Sequence, residues 1–144
     1  MSLGTPHQAL KYHMALEPEA YGPTTGNYGT AVSIEGYDEL SVVLLTGLAS
    51  TSAELDVTIM GGAVTTVSAM TTVLGTFTQV TAANDHAMYL GRVNLRNLSP
   101  AGSRYHVGVR ALGDDTNKAR GAVLFVMKGG IRVPESGQSL VFDA

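Results

Sequence analysis

Short segments in which apolar and polar residues alternate make up most of the chain from residue 30 onward. In residues 54–60 the apolar positions are Leu55, Val57 and Ile59, a spacing of two that is typical of a strand with one buried face. Residues 104–112 repeat this spacing. Their apolar positions are predicted to face inward and their polar positions outward: Tyr105, Val107 and Val109 inward, and Arg104, His106 and Arg110 outward.

Two other segments are apolar at successive positions. Residues 40–45 contain five apolar residues and one serine, and GAVLFVMKGG at 121–130 is a second continuous run. Strands that are buried on both faces have this composition. Each segment is therefore predicted to form a central strand that is covered on both sides.

Weaker strand patterns complete the prediction. Residues 76–80, 88–95 and 139–144 each favour a short strand, whereas the threonine-rich residues 63–74 indicate a long connection or an edge strand. Turn-forming residues lie at 36–38, 61–62, 83–85, 99–102 and 113–115. About seven short strands at this spacing predict an all-β fold: an antiparallel β-sandwich, a jelly roll or a small barrel, which share these strand signals.

The first 29 residues differ from the rest of the chain. They contain three prolines and three tyrosines, and they show no apolar periodicity. We predict an extended N-terminal arm over residues 1–29, followed by a single β domain over residues 30–144. A disordered tail and a short helix at residues 8–16 are the alternatives that this segment leaves open.

The composition of the 144-residue chain narrows the range of functions. Its length fits one domain. The absence of cysteine excludes disulfide frameworks, thiolate zinc sites and cysteine nucleophiles. No apolar run reaches the roughly 18–20 residues of a membrane helix, and no signal-peptide pattern is present, so no membrane partner is expected. Charged residues make up 15% of the chain, against roughly 25% in an average soluble domain. A surface so poor in charge predicts partners that cover much of it.

Acidic and basic residues are divided between the two halves of the chain. Residues 1–91 hold one basic and eight acidic residues, whereas residues 92–144 hold eight basic and four acidic ones. Polarity of this kind can align copies of a protein when they assemble. The basic residues are scattered and few aromatic residues lie among them, so nucleic acid is not predicted as a partner.

None of the candidate reactive residues forms a recognisable site in the sequence. The four histidines lack metal-ligand spacing, and GDDTN at 113–117 lacks the glycine and glutamate of a calcium loop. No serine lies in a nucleophile motif. Glu54 and Asp56 share a strand face, as any two polar residues on an exposed strand would. We therefore predict no catalytic residue, no metal and no cofactor, and a protein that is not an enzyme.

Residues 36–134 resemble small phage head decoration, cement or capsid-associated proteins. Four segments carry the resemblance: GYDELSVVLLTG at 36–47, AELDVTIM at 53–60, SRYHVGVRALG at 103–113 and GAVLFVMKGGIRVP at 121–134. The chain departs from the family pattern at residues 63–84, which lack a tryptophan-rich stretch, and at the arm, which matches no family member. The resemblance implies a small β-barrel or sandwich on the capsid surface of a virion, made in the host cytoplasm and often trimeric, that clamps neighbouring major capsid protein subunits.

The predicted contacts with other copies or with the capsid lie in the arm, among the arginines and near the C-terminus. They are Tyr12, Met14, Leu16, Tyr21, Tyr28, Arg104, Arg110, Arg120, Arg132, Val141 and Phe142. A tail or head–tail connector role on the same fold is an alternative, which rings in solution would favour. A carbohydrate-binding β-sandwich module is another, and it would need exposed aromatic residues on one face, for which Phe77 and Tyr89 are the candidates.

Overall fold

The computed structural model describes residues 10–21, 27–47, 53–98, 104–113 and 119–129. These residues form nine strands, one turn of 3₁₀ helix and several connections between them. The strands are β1 (Leu10–Tyr21), β2 (Asn27–Tyr28), β3 (Val32–Ser33), β4 (Tyr37–Thr46), β5 (Leu55–Gly62), β6 (Thr72–Thr76), β7 (Met88–Asn94), β8 (His106–Gly113) and β9 (Ala119–Gly129). The predicted all-β class is confirmed.

The strands form two antiparallel sheets. Sheet A has the order β1-β9-β4-β7, and sheet B has the order β2-β8-β5-β6, with β3 paired to the same strand as β2, namely β8. Chain neighbours such as β4 and β5, or β8 and β9, therefore lie in opposite sheets. Each sheet has four strand positions, because β2 and β3 both pair with β8. This arrangement is the topology of a jelly roll, one of the architectures that the sequence pattern left open.

One hydrophobic core lies between the two sheets. From sheet A it takes the alternate residues of β4 and β9: Leu40, Val42, Leu44, Val123, Phe125 and Met127. From sheet B it takes the alternate residues of β5 and β8: Leu55, Val57, Ile59, Val107, Val109 and Ala111. The inward positions predicted for the strands at 54–60 and 104–112 are confirmed, with Tyr105 partly buried at the margin of the core.

Residues 10–21 are an integral strand of the sandwich, which corrects the predicted arm over this stretch. Strand β1 pairs with β9 in antiparallel register from Leu10 opposite Lys128 to Tyr21 opposite Ala119. Ala15 is fully buried, and the Thr30 amide donates a 3.1 Å hydrogen bond to its carbonyl oxygen. The buried surface and this link between sheets explain why the stretch is not a detached arm. Residues 1–9 lie outside the described ranges.

The threonine-rich segment 63–74 contains both of the features predicted for it. A 3₁₀ turn at Val67–Ala69 lies in a long connection, and the edge strand β6 begins shortly after it. The turn packs on the outer side of sheet B, where Met60, Val67 and Met70 form a small second cluster. Gly108 makes room for this contact, because a Cβ atom there would lie 2.3 Å from a methyl group of Val67.

Candidate interaction surface

The outer face of sheet A, which points away from the core, is apolar at its centre. Cross-strand pairing places Met14 opposite Leu124, Leu124 opposite Val43, and Val43 opposite Leu90. This row of four apolar side chains spans all four strands of the sheet. The neighbouring row on one side holds Tyr12 and Val126, followed by Ser41 and Arg92, and the row on the other side adds Ala122, Leu45 and Met88.

No element among the described residues covers this face. The exposed fractions of its side chains are 69% for Leu90, 61% for Met88, 59% for Tyr12 and 49% for both Met14 and Leu45. The prediction that the run at residues 40–45 is covered on both sides is therefore wrong within the described chain. Strand β4 is central in its sheet, but only its inner residues Leu40, Val42 and Leu44 are packed. Its outer residues have the composition of a buried strand and lack the covering layer.

Charged residues surround the apolar centre at the two ends of the strands. At one end Arg92 pairs with Glu39 at 2.9 Å, Arg96 pairs with Asp38 at 3.6 Å, and Lys128 lies opposite Glu39. These ion pairs join the acidic and the basic halves of the sequence within one molecule, so part of the predicted polarity is neutralised inside the chain. The side chains concerned are largely exposed, and such pairs contribute little to stability.

The opposite end of the face contains a hollow of about 470 Å³. Residues of β1, β4 and β9 line it, among them Pro18, Glu19, Leu45 and Arg120. The hollow continues the apolar surface past Leu45 and brings an acidic and a basic residue to its margin. An apolar centre with a charged rim is the usual anatomy of a protein–protein interface.

The outer face of sheet B has a different character. Its strands β5 and β8 present polar positions such as Asp56, Thr58 and Arg110, and the cluster around Val67 covers the portion beside Gly108. Tyr28 on β2 lies directly opposite Arg110, and both side chains are exposed. The two outer faces of the sandwich are thus chemically distinct.

The predicted contact residues fall into four groups in the structure. Tyr12 and Met14 lie on the outer face of sheet A, and Tyr28 and Arg110 lie together on the outer face of sheet B. Arg104 and Arg120 are exposed near strand ends. Leu16 and Tyr21 are buried in the core, so they are not available to a partner, and their selection as surface contacts is corrected. Arg132, Val141 and Phe142 lie outside the described residues.

The sequence reasoning missed the residues at the middle of the apolar face. Leu45, Met88, Leu90 and Leu124 were not selected as contacts, although each belongs to a segment recognised as a strand. The signal was present in residues 40–45 and 121–130, whose runs are apolar on both faces. A second apolar face that nothing in the same molecule covers indicates a contact with another molecule.

Tyr21 is the titratable group with the clearest perturbation. Burial raises the pKa of its phenol to about 12, and the negative charges of Glu19 and Glu17 act in the same direction. The hydroxyl donates a 2.5 Å hydrogen bond to the backbone carbonyl of Glu17. This arrangement anchors the end of β1 and holds the phenol in its neutral form.

The described residues form no recognisable reactive centre or sugar platform. Among them, no three His, Asp or Glu side chains come close enough to hold a metal ion. In the same ranges, no helix has the length and apolar character that a membrane crossing requires. Phe77 and Tyr89 are partly buried against the core, and Tyr89 donates a 2.6 Å hydrogen bond to the carbonyl of Asn84. The exposed Tyr12 and Tyr28 lie on opposite sheets.

Comparisons with known proteins found distant likenesses of structure. No family model and no curated protein matches the chain. A chain of the Bacillus endospore appendages, a novel family of disulfide-linked pili, aligns over 90% of this chain and 96% of its own, with 12% identity and a TM-score of 0.46. A chain of the infectious bursal disease virus Gx strain aligns over 86% of this chain and 33% of its own, with 13% identity and a TM-score of 0.44. Neither likeness bears on function.

Proposed function

We propose that this chain is a non-enzymatic structural protein of a phage virion that binds the outer surface of the capsid and stabilises the shell. One observation carries the part of the proposal that concerns assembly: sheet A is apolar on both faces, and the described chain packs only one of them. A contiguous apolar surface of this kind is stabilised when another surface removes it from water, by about 25 cal/mol per Å². The protein is therefore suited to work inside an assembly.

The resemblance of residues 36–134 to decoration proteins supplies the kind of assembly. Those residues include β4, β5, β7, β8 and β9, which build most of both sheets. A decoration protein acts by filling and clamping the junctions between capsid subunits, and it needs no reacting side chain to do so. Self-association, as the trimer that the resemblance implies or in another form, is part of this proposal.

For the contact with the major capsid protein we propose the outer face of sheet B around Tyr28 and Arg110. These side chains lie directly opposite each other on neighbouring strands, and both reach solvent. Tyrosine and arginine are among the residue types that are enriched at energetically important interface positions. A guanidinium beside a phenol ring can bind a carboxylate of the capsid while the ring packs on apolar surface.

The experiment that tests the function uses DNA-free shells of the phage that encodes the chain. Purified protein is added to the shells, co-sedimentation gives the bound amount, and calorimetry gives the melting temperature of the shell. We expect saturable binding and a higher shell melting temperature, and no effect on shells of an unrelated phage. Absence of binding at saturating protein concentration would overturn the decoration role.

A pair of arginine variants tests the capsid contact. Arg110→Gln should weaken shell binding by about tenfold or more, the loss expected for a contributing interface arginine. Arg96→Gln is the matched control, because this side chain is also exposed but lies on the far side of the sandwich beside Asp38. Equal effects of the two variants would show that shell binding responds to net charge alone and would exclude a specific role for Arg110.

A further inference from the structure

We propose that the outer face of sheet A is an interface between two copies of this chain, packed face to face about a two-fold axis. This inference concerns the molecule in solution and goes beyond the proposed role on the capsid. It commits the apolar face to one occupant and leaves the outer face of sheet B free for other partners.

The composition of the face favours a permanent contact with a second copy. Its central row consists of Met14, Leu124, Val43 and Leu90, and the adjoining rows add further aliphatic residues. Interfaces between permanently associated copies are more apolar at their centre than transient interfaces are, and they are poor in central charge. The charged residues of this face, such as Lys128, Glu39 and Arg92, stand at its margin.

The shape of the face also favours a copy of itself. Two pleated sheets pack face to face about 10 Å apart when each presents rows of apolar side chains that fit between those of the other. A second copy presents such a sheet of the same length and spacing. Contact between identical faces is closed by a two-fold axis, which makes every contact occur twice.

The size of the face is of the order that a stable pair needs. Four strands about 4.8 Å apart and five side-chain rows about 6.8 Å apart give a footprint of roughly 20 Å by roughly 30 Å, or about 600 Å². A standard interface buries about 800 Å² on each partner, measured over the relief of the side chains rather than on a flat footprint. The apolar centre and the rim together are thus large enough to form an interface between two copies.

The rim charges favour a packing in which the strands of the two copies run in opposite directions. Lys128 gives the end beside the Arg92–Glu39 pair a positive excess, whereas Glu19 and Arg120 balance each other at the hollow. With opposed strand directions, the positive end of each copy lies over the balanced end of its partner. The parallel arrangement would place like ends together.

The experiment measures the mass of the full chain by light scattering behind a sizing column. We expect twice the 15.0 kDa of one chain. Leu90→Asp, which places a carboxylate at an exposed position of the central row, should weaken self-association by at least about 30-fold. Val73→Asp is the matched control: Val73 is 58% exposed, but it lies on β6 of sheet B, and the variant should remain a pair. Circular dichroism of both variants verifies that they fold.

A cross-linking experiment gives a second, independent readout. The chain contains no cysteine, so Leu90→Cys and Val73→Cys each carry one thiol. A short bismaleimide should link two copies of Leu90→Cys and leave Val73→Cys as single chains. A wild-type monomer at the highest soluble concentration, a trimer, or a pair that Leu90→Asp leaves intact would each overturn the two-fold interface.

These outcomes are separate from those of the shell experiment. A monomer that binds shells would overturn this inference and the proposed self-association, and it would leave the decoration role standing. A pair that depends on Leu90 but does not bind shells would overturn the decoration role and leave this inference standing.

Discussion

Val43 and Leu90 lie directly opposite each other on β4 and β7, and both side chains point away from the core. The inner neighbour of Val43 on the same strand, Val42, is buried. This strand pair is therefore apolar on both sides of the sheet, an arrangement expected in the interior of a larger assembly. Four predictions test how much the inner face, the junctions between the sheets and the buried polar groups contribute to the stability of the single chain.

Phe125 and Leu124 are neighbours on β9 whose side chains lie on opposite faces. Phe125→Ala should lower the free energy of unfolding by about 3–5 kcal/mol, because Phe125 is fully buried and its removal leaves a cavity between the sheets. Leu124→Ala removes a side chain of the outer face and should cost about 1 kcal/mol or less in the single chain. Urea unfolding at low protein concentration gives both values. Equal losses would mean that the outer face is packed within one molecule.

Gly29 is a position where no side chain fits. A Cβ atom there would lie 1.7 Å from the carbonyl oxygen of Ala15, so Gly29→Ala must push β1 away from the strands of sheet B. The expected loss is about 3 kcal/mol. Gly75→Ala serves as the control, since a Cβ atom at Gly75 has no neighbour within 4 Å. That variant should be neutral or slightly stabilising in thermal unfolding. A neutral Gly29→Ala would contradict the close approach of β1.

Tyr21 makes stability depend on pH at the alkaline end. Its folded-state pKa is raised to about 12 from the ordinary value of 10.0, so the folded chain holds a proton that the unfolded chain releases. The stabilisation is complete below pH 10 and is lost as the pH rises from about 10 towards about 12. Absorbance titration of the phenolates should show a late-ionising component that is missing in Tyr21→Phe. If the variant and the wild type give the same titration curve, Tyr21 is not the perturbed group.

The Thr46 hydroxyl connects β4 to the start of β7. It donates to the Ala87 carbonyl oxygen at 3.1 Å and accepts a hydrogen bond from the Ala87 amide at 2.9 Å. Thr46→Val removes the acceptor of that amide and should cost about 1–3 kcal/mol. Thr46→Ser retains the hydroxyl and should cost about 1 kcal/mol or less. Hydrogen exchange of the Ala87 amide should speed up in the valine variant only.

The inner faces of β5 and β8 were predictable from alternation alone, whereas β1 was not. In β1 the alternation is inverted relative to the core: Leu10, Tyr12 and Met14 point outward, while Lys11 and His13 lie on the other side. His13 is held there by a hydrogen bond to the Thr30 carbonyl and by its contact with the ring of Phe125. Because a polar residue of β1 has internal partners, the strand does not show the usual pattern of apolar residues inside, and the sequence pattern indicated an arm.

The candidate surface was predictable only in part. The apolar runs at residues 40–45 and 121–130 predicted strands that are covered on both sides, whereas the described chain covers only their inner side. The pattern does not show what covers the outer side of the sheet. A layer from the same chain and a layer from another molecule would both pack against apolar residues at these positions. The register between β4 and β7 places Leu90 beside Val43. This register depends on contacts between residues far apart in the sequence, so only the structure shows it.

The contact of Val67 with Gly108 has a consequence for the proposed pair, because it covers part of the outer side of sheet B. A sandwich with apolar patches on both outer sides would add molecules at each end and grow into a fibre. Here the described chain occupies part of one side with its own 3₁₀ turn, and β5 and β8 beside the turn present polar residues such as Asp56, Thr58 and Arg110. In the pair proposed above, stacking through apolar faces would therefore end at two molecules. Variants that displace Val67 from sheet B, such as Gly108→Leu, should associate further and form filaments or a precipitate.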